Sequence, residues 1–164
     1  MRILLLVVLV GCLSCSHSYY VVRHAEKATT APGMTSDVAL SEAGQQRAAE
    51  LKEALKDKKI DEVFSTNTIR TKSTAQPTAD HFGKTITVYG PRPDSAFIQL
   101  LKSKHRNILV VGHSNTIDDI VNGLYGKKAV PGDLPETEYD NLFIIKVKGK
   151  KVSFKQEKYG ALSH

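Results

Sequence analysis

Two histidines and two arginines in this chain stand where side chains can do chemistry. Arg23-His24 follows Tyr19-Tyr20-Val21-Val22, whose aromatic and β-branched residues favour a strand. A strand that runs into an Arg-His pair and then a polar loop sets a nucleophile or base beside a guanidinium, whose fork binds oxyanions. Gly112-His113-Ser114 ends a second run, Ile108-Leu109-Val110-Val111, apolar throughout as a central parallel strand requires. Between the two, Ser65 closes a short strand, and Arg70 comes just after Asn67 and Thr68, either of which can cap a helix. That puts Arg70 in a first helical turn, where backbone N–H groups and the helix dipole favour phosphate. Taken singly, each of these residues also fits an ordinary solvated surface.

Their meaning depends on whether the intervening elements bring them together. Ser41 is a natural N-cap for a helix to about residue 57, with Ala48, Leu51 and Leu55 on its inner face. A strand over 60–65 precedes the helix that carries Arg70, which Pro77 is expected to kink or restart. A strand over 85–89, a helix over 96–102 and the strand over 107–113 follow, then a helix over 117–124. Two strands, 142–147 and 152–154, close the chain as a hairpin around Gly149-Lys150. Strands alternating with helices predict a three-layer α/β/α fold with a mainly parallel central sheet and a late hairpin at one edge. Parallel strands end on one rim, so Arg23-His24, Ser65 with Arg70, and His113 should converge there. Such a cluster of cations, with no carboxylates interleaved, is self-repelling unless an anion sits among them. The loop over 27–40, with Ala31-Pro32-Gly33 in it, should form one wall of the crevice.

With 164 residues, 41% hydrophobic and 24% charged, the chain suits one domain with a real core. The net charge of +6 is scattered, without an arginine-rich arm or an aromatic platform, so nucleic acid is not an expected partner. Anionic substrates or an anionic membrane surface are. At the N-terminus, Met1-Arg2 precedes an apolar run over 3–10 and then Gly11-Cys12 and Ser14-Cys15. The run is too short to span a bilayer and suits a signal peptide. Leu9-Val10-Gly11-Cys12 resembles the lipobox of bacterial lipoproteins. Residues 1–17 are therefore expected to be a leader and tether, and 18–164 the folded domain. The expected location is periplasmic, or membrane-anchored through a lipidated Cys12, with Cys15 the alternative acceptor. The competing readings are a buried first strand and a Cys12-x-x-Cys15 redox pair; a redox pair would normally open a helix.

Arg23-His24-Ala25-Glu26-Lys27, Leu40-Ser41-x-x-Gly44, Ser65 with Arg70-Thr71 and Thr74-Ala75, and Gly112-His113-Ser114-Asn115-Thr116 occur in one order along the chain. Together they resemble the histidine phosphatase (phosphoglycerate mutase-like) superfamily, in its compact bacterial branch. Ala25 stands where the family more often has Gly. The resemblance implies a phosphoglycerate mutase-like fold and a hydrolase without metal or cofactor. It implies that His24 is the nucleophile that becomes phosphorylated, with His113 as the second catalytic histidine. Arg23, Arg70 and His113 would bind the phosphoryl group. The substrate would be a phosphomonoester, as a phosphorylated small molecule or a phosphoprotein. Two alternatives stand beside this: a catalytically weak phospholigand-binding lipoprotein, and a mutase-type phosphotransferase.

Larger family members supply a carboxylic acid between the second arginine and the second histidine, where this chain has only Asp80 and Asp94. Glu26, Asp37 and Asp118 are further candidates for protonating the leaving group. Asp94 is explained as well by a helix cap. His17, His81, His105 and His164 lack any such context and read as ordinary surface residues.

Overall fold

The computed structural model describes residues 16–29 and 37–163. Residues 1–15 of the expected leader, with Cys12 and Cys15, half of the loop over 27–40, and His164 lie outside them; Ser16 and His17, expected in the tether, begin the first strand. Ten elements follow one another in order: β1 (Ser16–Arg23), α1 (Glu42–Leu55), β2 (Glu62–Thr66), α2 (Ile69–Phe82), β3 (Ile86–Tyr89), α3 (Ser95–Lys104), β4 (Ile108–Gly112), α4 (Ile117–Tyr125), β5 (Asn141–Lys148) and β6 (Lys151–Lys158).

The strands form one six-stranded sheet in the order β3-β2-β4-β1-β5-β6. The first four in that order run parallel, and β5 and β6 add an antiparallel hairpin. Alternation along each strand divides the core between two faces. Tyr19 and Val21 of β1 pack with Ile98 and Leu101 of α3 and with Ile117, Ile120 and Val121 of α4. Tyr20 and Val22 face the other way, toward Leu51 and Leu55 of α1 and Ala75 and Ala79 of α2. The architecture is thus the expected α/β sandwich of three layers, with a mixed sheet at its centre.

Local signals account for where the helices start. Ser41 Oγ accepts from the N–H of Gly44, Thr68 from that of Thr71, and Asp94 from that of Phe97. In the first case the helix also meets the active strand. Ser41 N–H donates to the Glu26 carbonyl, and a Cβ on Gly44 would lie 2.1 Å from that same oxygen. Only glycine lets the start of α1 press so closely on the chain just past His24.

Three expectations need correction. Helix α2 continues through Pro77 without a break. The lost N–H is outweighed by Ala75, Thr78 and Ala79, which are buried on either side of it and hold the helix to the sheet. Strand β6 is longer than its three-residue apolar signal, because all eight of its residues pair in register with β5. His17 is not on the surface. Strand β1 starts at Ser16, which buries His17 with its Nε2 against Tyr19 Oη at 3.1 Å and its ring edge-on to that of His105.

Candidate active site

The parallel strands deliver their C-termini to one rim, as the topology requires. Arg23 at the end of β1 lies beside Gly112 at the end of β4, and the His24 N–H donates to the Gly112 carbonyl at 2.9 Å. His24 and His113 consequently face each other with ring centroids 5.4 Å apart. Arg70, in the first turn of α2, reaches in from the side and donates from Nη2 to His113 Nδ1 at 3.3 Å. These four side chains line a cleft of about 680 Å³, together with Lys27, Arg92 and Glu136 among others.

The hydrogen bonds settle the imidazole tautomers. His24 Nδ1 sits 2.8 Å from the Ala25 carbonyl, which can only accept, so Nδ1 carries the proton and Nε2 keeps its lone pair. A guanidinium can only donate, so His113 Nδ1 is the acceptor and its Nε2–H donates to Thr66 Oγ1 at 2.9 Å. Burial pushes the pKa of His24 down to about 3, opposed by the bond to Ala25 and aided by the charges of Arg23, Arg70 and His113. Burial and then Arg70 and Arg23 bring His113 to about 4, with Asp37 acting the other way. Both rings are neutral at pH 7 in this state.

Arg23 is 2% exposed, and the segment before β5 wraps around it. One Nη donates to the carbonyls of Pro135 and Glu138, and the other to Glu136 Oε2 at 2.8 Å. The Tyr139 ring covers the guanidinium at 4.2 Å. Its Nε is buried and has no partner among the described residues.

Glu136 was not foreseen in the sequence. Its second oxygen accepts from Ser114 Oγ at 2.9 Å, so it ties the residue after His113 to Arg23. The Ser114 bond and then the Arg23 charge hold its carboxyl below the ordinary value. It lies 22 residues beyond Ser114, in a loop with no periodicity, and no spacing rule points to it.

The expected proton donors fare differently. Glu26 is clamped by Arg47, whose Nε and Nη2 both reach its carboxylate within 2.8 Å. Asp94 caps α3, and Asp80 accepts from Gln76. Asp118 has a raised pKa through burial, but it does not line the cleft. Asp37 accepts from the Ile69 N–H and lies 3.8 Å from Arg70, at the start of α2. Ser65 is fully buried and turned onto the Thr66 carbonyl, so it supports the rim without facing the cleft. Thr74 is a further link, accepting from the Ala25 N–H and donating to the Arg70 carbonyl. Among the described residues, no group of three His, Cys, Asp or Glu is placed to hold a metal.

Residues 19–90, which contain Arg23, His24 and Arg70, match the model of the histidine phosphatase superfamily, branch 1. Over these residues the chain is similar to the histidine phosphatase superfamily. Solved structures share its fold. One from Agrobacterium tumefaciens that bears the SixA phosphohistidine phosphatase name is 22% identical, with a TM-score of 0.66, over 88% of this chain and 97% of its own. Protein histidine phosphatase SixA complexed with tungstate is 20% identical at 0.66, over 86% and 96%. A phosphoglycerate mutase from Bacillus anthracis is 14% identical at 0.60, over 88% and 93%. Comparison with curated proteins finds no match. Within the matched stretch Leu40-Ser41-x-x-Gly44 has a structural reason, since it packs the start of α1 onto the Glu26 carbonyl beside His24.

Proposed function

We propose that the chain is a phosphatase that hydrolyses phosphomonoesters, of a small molecule or a protein, through a phosphohistidine on His24. The observation that carries this reading is the fixed tautomer of His24, whose Nε2 lone pair is kept free in a cleft lined by Arg70 and His113. Nε2 attacks phosphorus as the bond to the leaving oxygen breaks, and that oxygen takes up a proton. Water then attacks phosphorus, the P–N bond breaks, and phosphate departs while His24 regains its lone pair. Phosphoryl transfer asks for positioning and charge neutralisation, which the guanidinium charges of Arg70 and Arg23 can supply. A phosphoryl group among these cations would raise the affinity of His113 for a proton, turning it from acceptor into donor.

The test is to mix the protein with an aryl phosphate and trap the phosphoenzyme. Wild type should give an acid-labile, alkali-stable phosphoprotein and steady turnover, and His24→Ala should lose both. Labelling that persists in His24→Ala would overturn the assignment.

We also propose export, with anchoring through Cys12 or Cys15. That reading rests on the sequence of residues 1–15 alone.

A further inference from the structure

The end of the sheet opposite the cleft carries a charge pattern that the phosphatase reading does not use. Strand β5 runs antiparallel to β1, so its last residue, Lys148, pairs with Ser16, the first residue of β1. The hairpin turn at Gly149-Lys150 therefore lies at the far end of the molecule from Arg23 and His24. Register places Lys148 directly opposite Lys151, with Lys146 two residues along on the same face. Lys150 occupies the turn itself. All four are exposed, and none has an ion pair among the described residues.

Stability does not explain this corner. Like charges directly opposite on paired strands are destabilising. Basic residues at helix C-termini can be credited to the helix dipole, as Lys102 and Lys104 of α3 can, but a hairpin offers no such compensation. Farther along the same face, Ile144 and Leu142 are sheltered, whereas the lysines stand beyond that cover. Lys58 and Lys59, between the end of α1 and the start of β2, sit at the same end of the parallel strands and are also unpaired among the described residues.

We infer that this end is a docking face for an anionic lipid bilayer. Lysines beside a surface of acidic headgroups add attraction, each by an amount comparable to a hydrogen bond. The position of Ser16 argues for lipid over other polyanions. The apolar run over 3–10 joins β1 at this same corner, through residues 11–15. Cys12, where we propose a lipid anchor, precedes Ser16 by four residues, at most about 14 Å of extended chain, so that anchor would hold the hairpin close to the membrane. Docked this way, the cleft faces away from the membrane, open to substrates in the surrounding solution.

The test is co-sedimentation of the full chain, with Cys12 and Cys15 changed to serine, on vesicles of phosphatidylcholine alone or with about a third phosphatidylglycerol. The wild-type surface should bind the anionic vesicles more tightly, and the excess should vanish in high salt. Lys148→Gln/Lys150→Gln should reduce that excess by roughly tenfold, with unfolding temperature and aryl phosphatase activity unchanged. Lys52→Gln/Lys72→Gln removes the same charge from α1 and α2 and should reduce it far less. Equal losses in the two double variants would overturn the docking face, as would equal binding to both vesicles. So would binding to duplex DNA as tight as to the anionic vesicles and equally dependent on Lys148 and Lys150.

Discussion

Glu136 fixes Arg23 at the wall of the cleft that we propose receives the phosphoryl group. Its carboxylate accepts from a guanidinium that is almost fully buried, while its own side chain is 72% exposed. The cleft therefore carries a fixed negative charge beside Arg23, and an incoming dianion must enter against it. Replacing it with Glu136→Gln keeps a hydrogen-bond acceptor for Ser114 and removes the charge. Competitive inhibition by sulfate should then tighten several-fold, since the exposed carboxylate is screened and its repulsion is modest. The inhibition constant against an aryl phosphate reads this directly. An unchanged constant would mean that Glu136 only steadies the loop and leaves the anion site alone. The sequence could not show this residue, because its link to Arg23 spans 113 positions and comes from how the segment before β5 folds back. His24, Arg70 and His113 were legible because each follows a strand or starts a helix, and strand order alone brings such ends together.

At the scale of elements, the contact between α1 and the turn after β1 is the joint on which the site depends. Gly44→Ala would drive a methyl group to within 2.1 Å of the Glu26 carbonyl oxygen, which backbone on both sides prevents from yielding. The helix must shift, loosening the Ser41–Glu26 bond and the chain next to His24. We expect a loss of about 1–3 kcal/mol by denaturant unfolding, the usual cost of overpacking, together with a fall in kcat. Destabilisation below about 0.5 kcal/mol would show that α1 can move without strain. The elements themselves were mostly legible from caps and apolar periodicity. Pro77 misled because propensity is local, whereas Ala75 and Ala79 are fully buried between α2 and the sheet. The length of β6 was hidden for the same reason: its residues are mostly exposed, and only pairing with β5 makes them a strand.

For the whole molecule, the two histidines make stability depend on pH. In the unfolded chain each titrates near the ordinary value of about 6.5. Folded, they sit near 3 and 4, because burial and neighbouring guanidiniums disfavour the charged ring. Between those limits the unfolded state binds protons that the folded state refuses, so stability rises with pH across the window. Above about 6.5 both states hold neutral rings and the effect is gone; toward pH 4 it is almost fully present and opposes folding. The unfolding temperature should therefore drop as pH falls from 6.5 to 4, beyond what the carboxylates cause. His113→Asn, which removes one of the two rings, should flatten that drop. Sulfate stays a dianion across this range, so it separates the site from the rest of the chain. Bound between the two rings and Arg70, it would lift both histidine pKa values, and its binding would take up protons. The rise in unfolding temperature that sulfate gives should grow as pH falls from 7 to 5, and should shrink in His113→Asn. A sulfate effect that stays constant with pH would mean that the anion does not lie between His24 and His113.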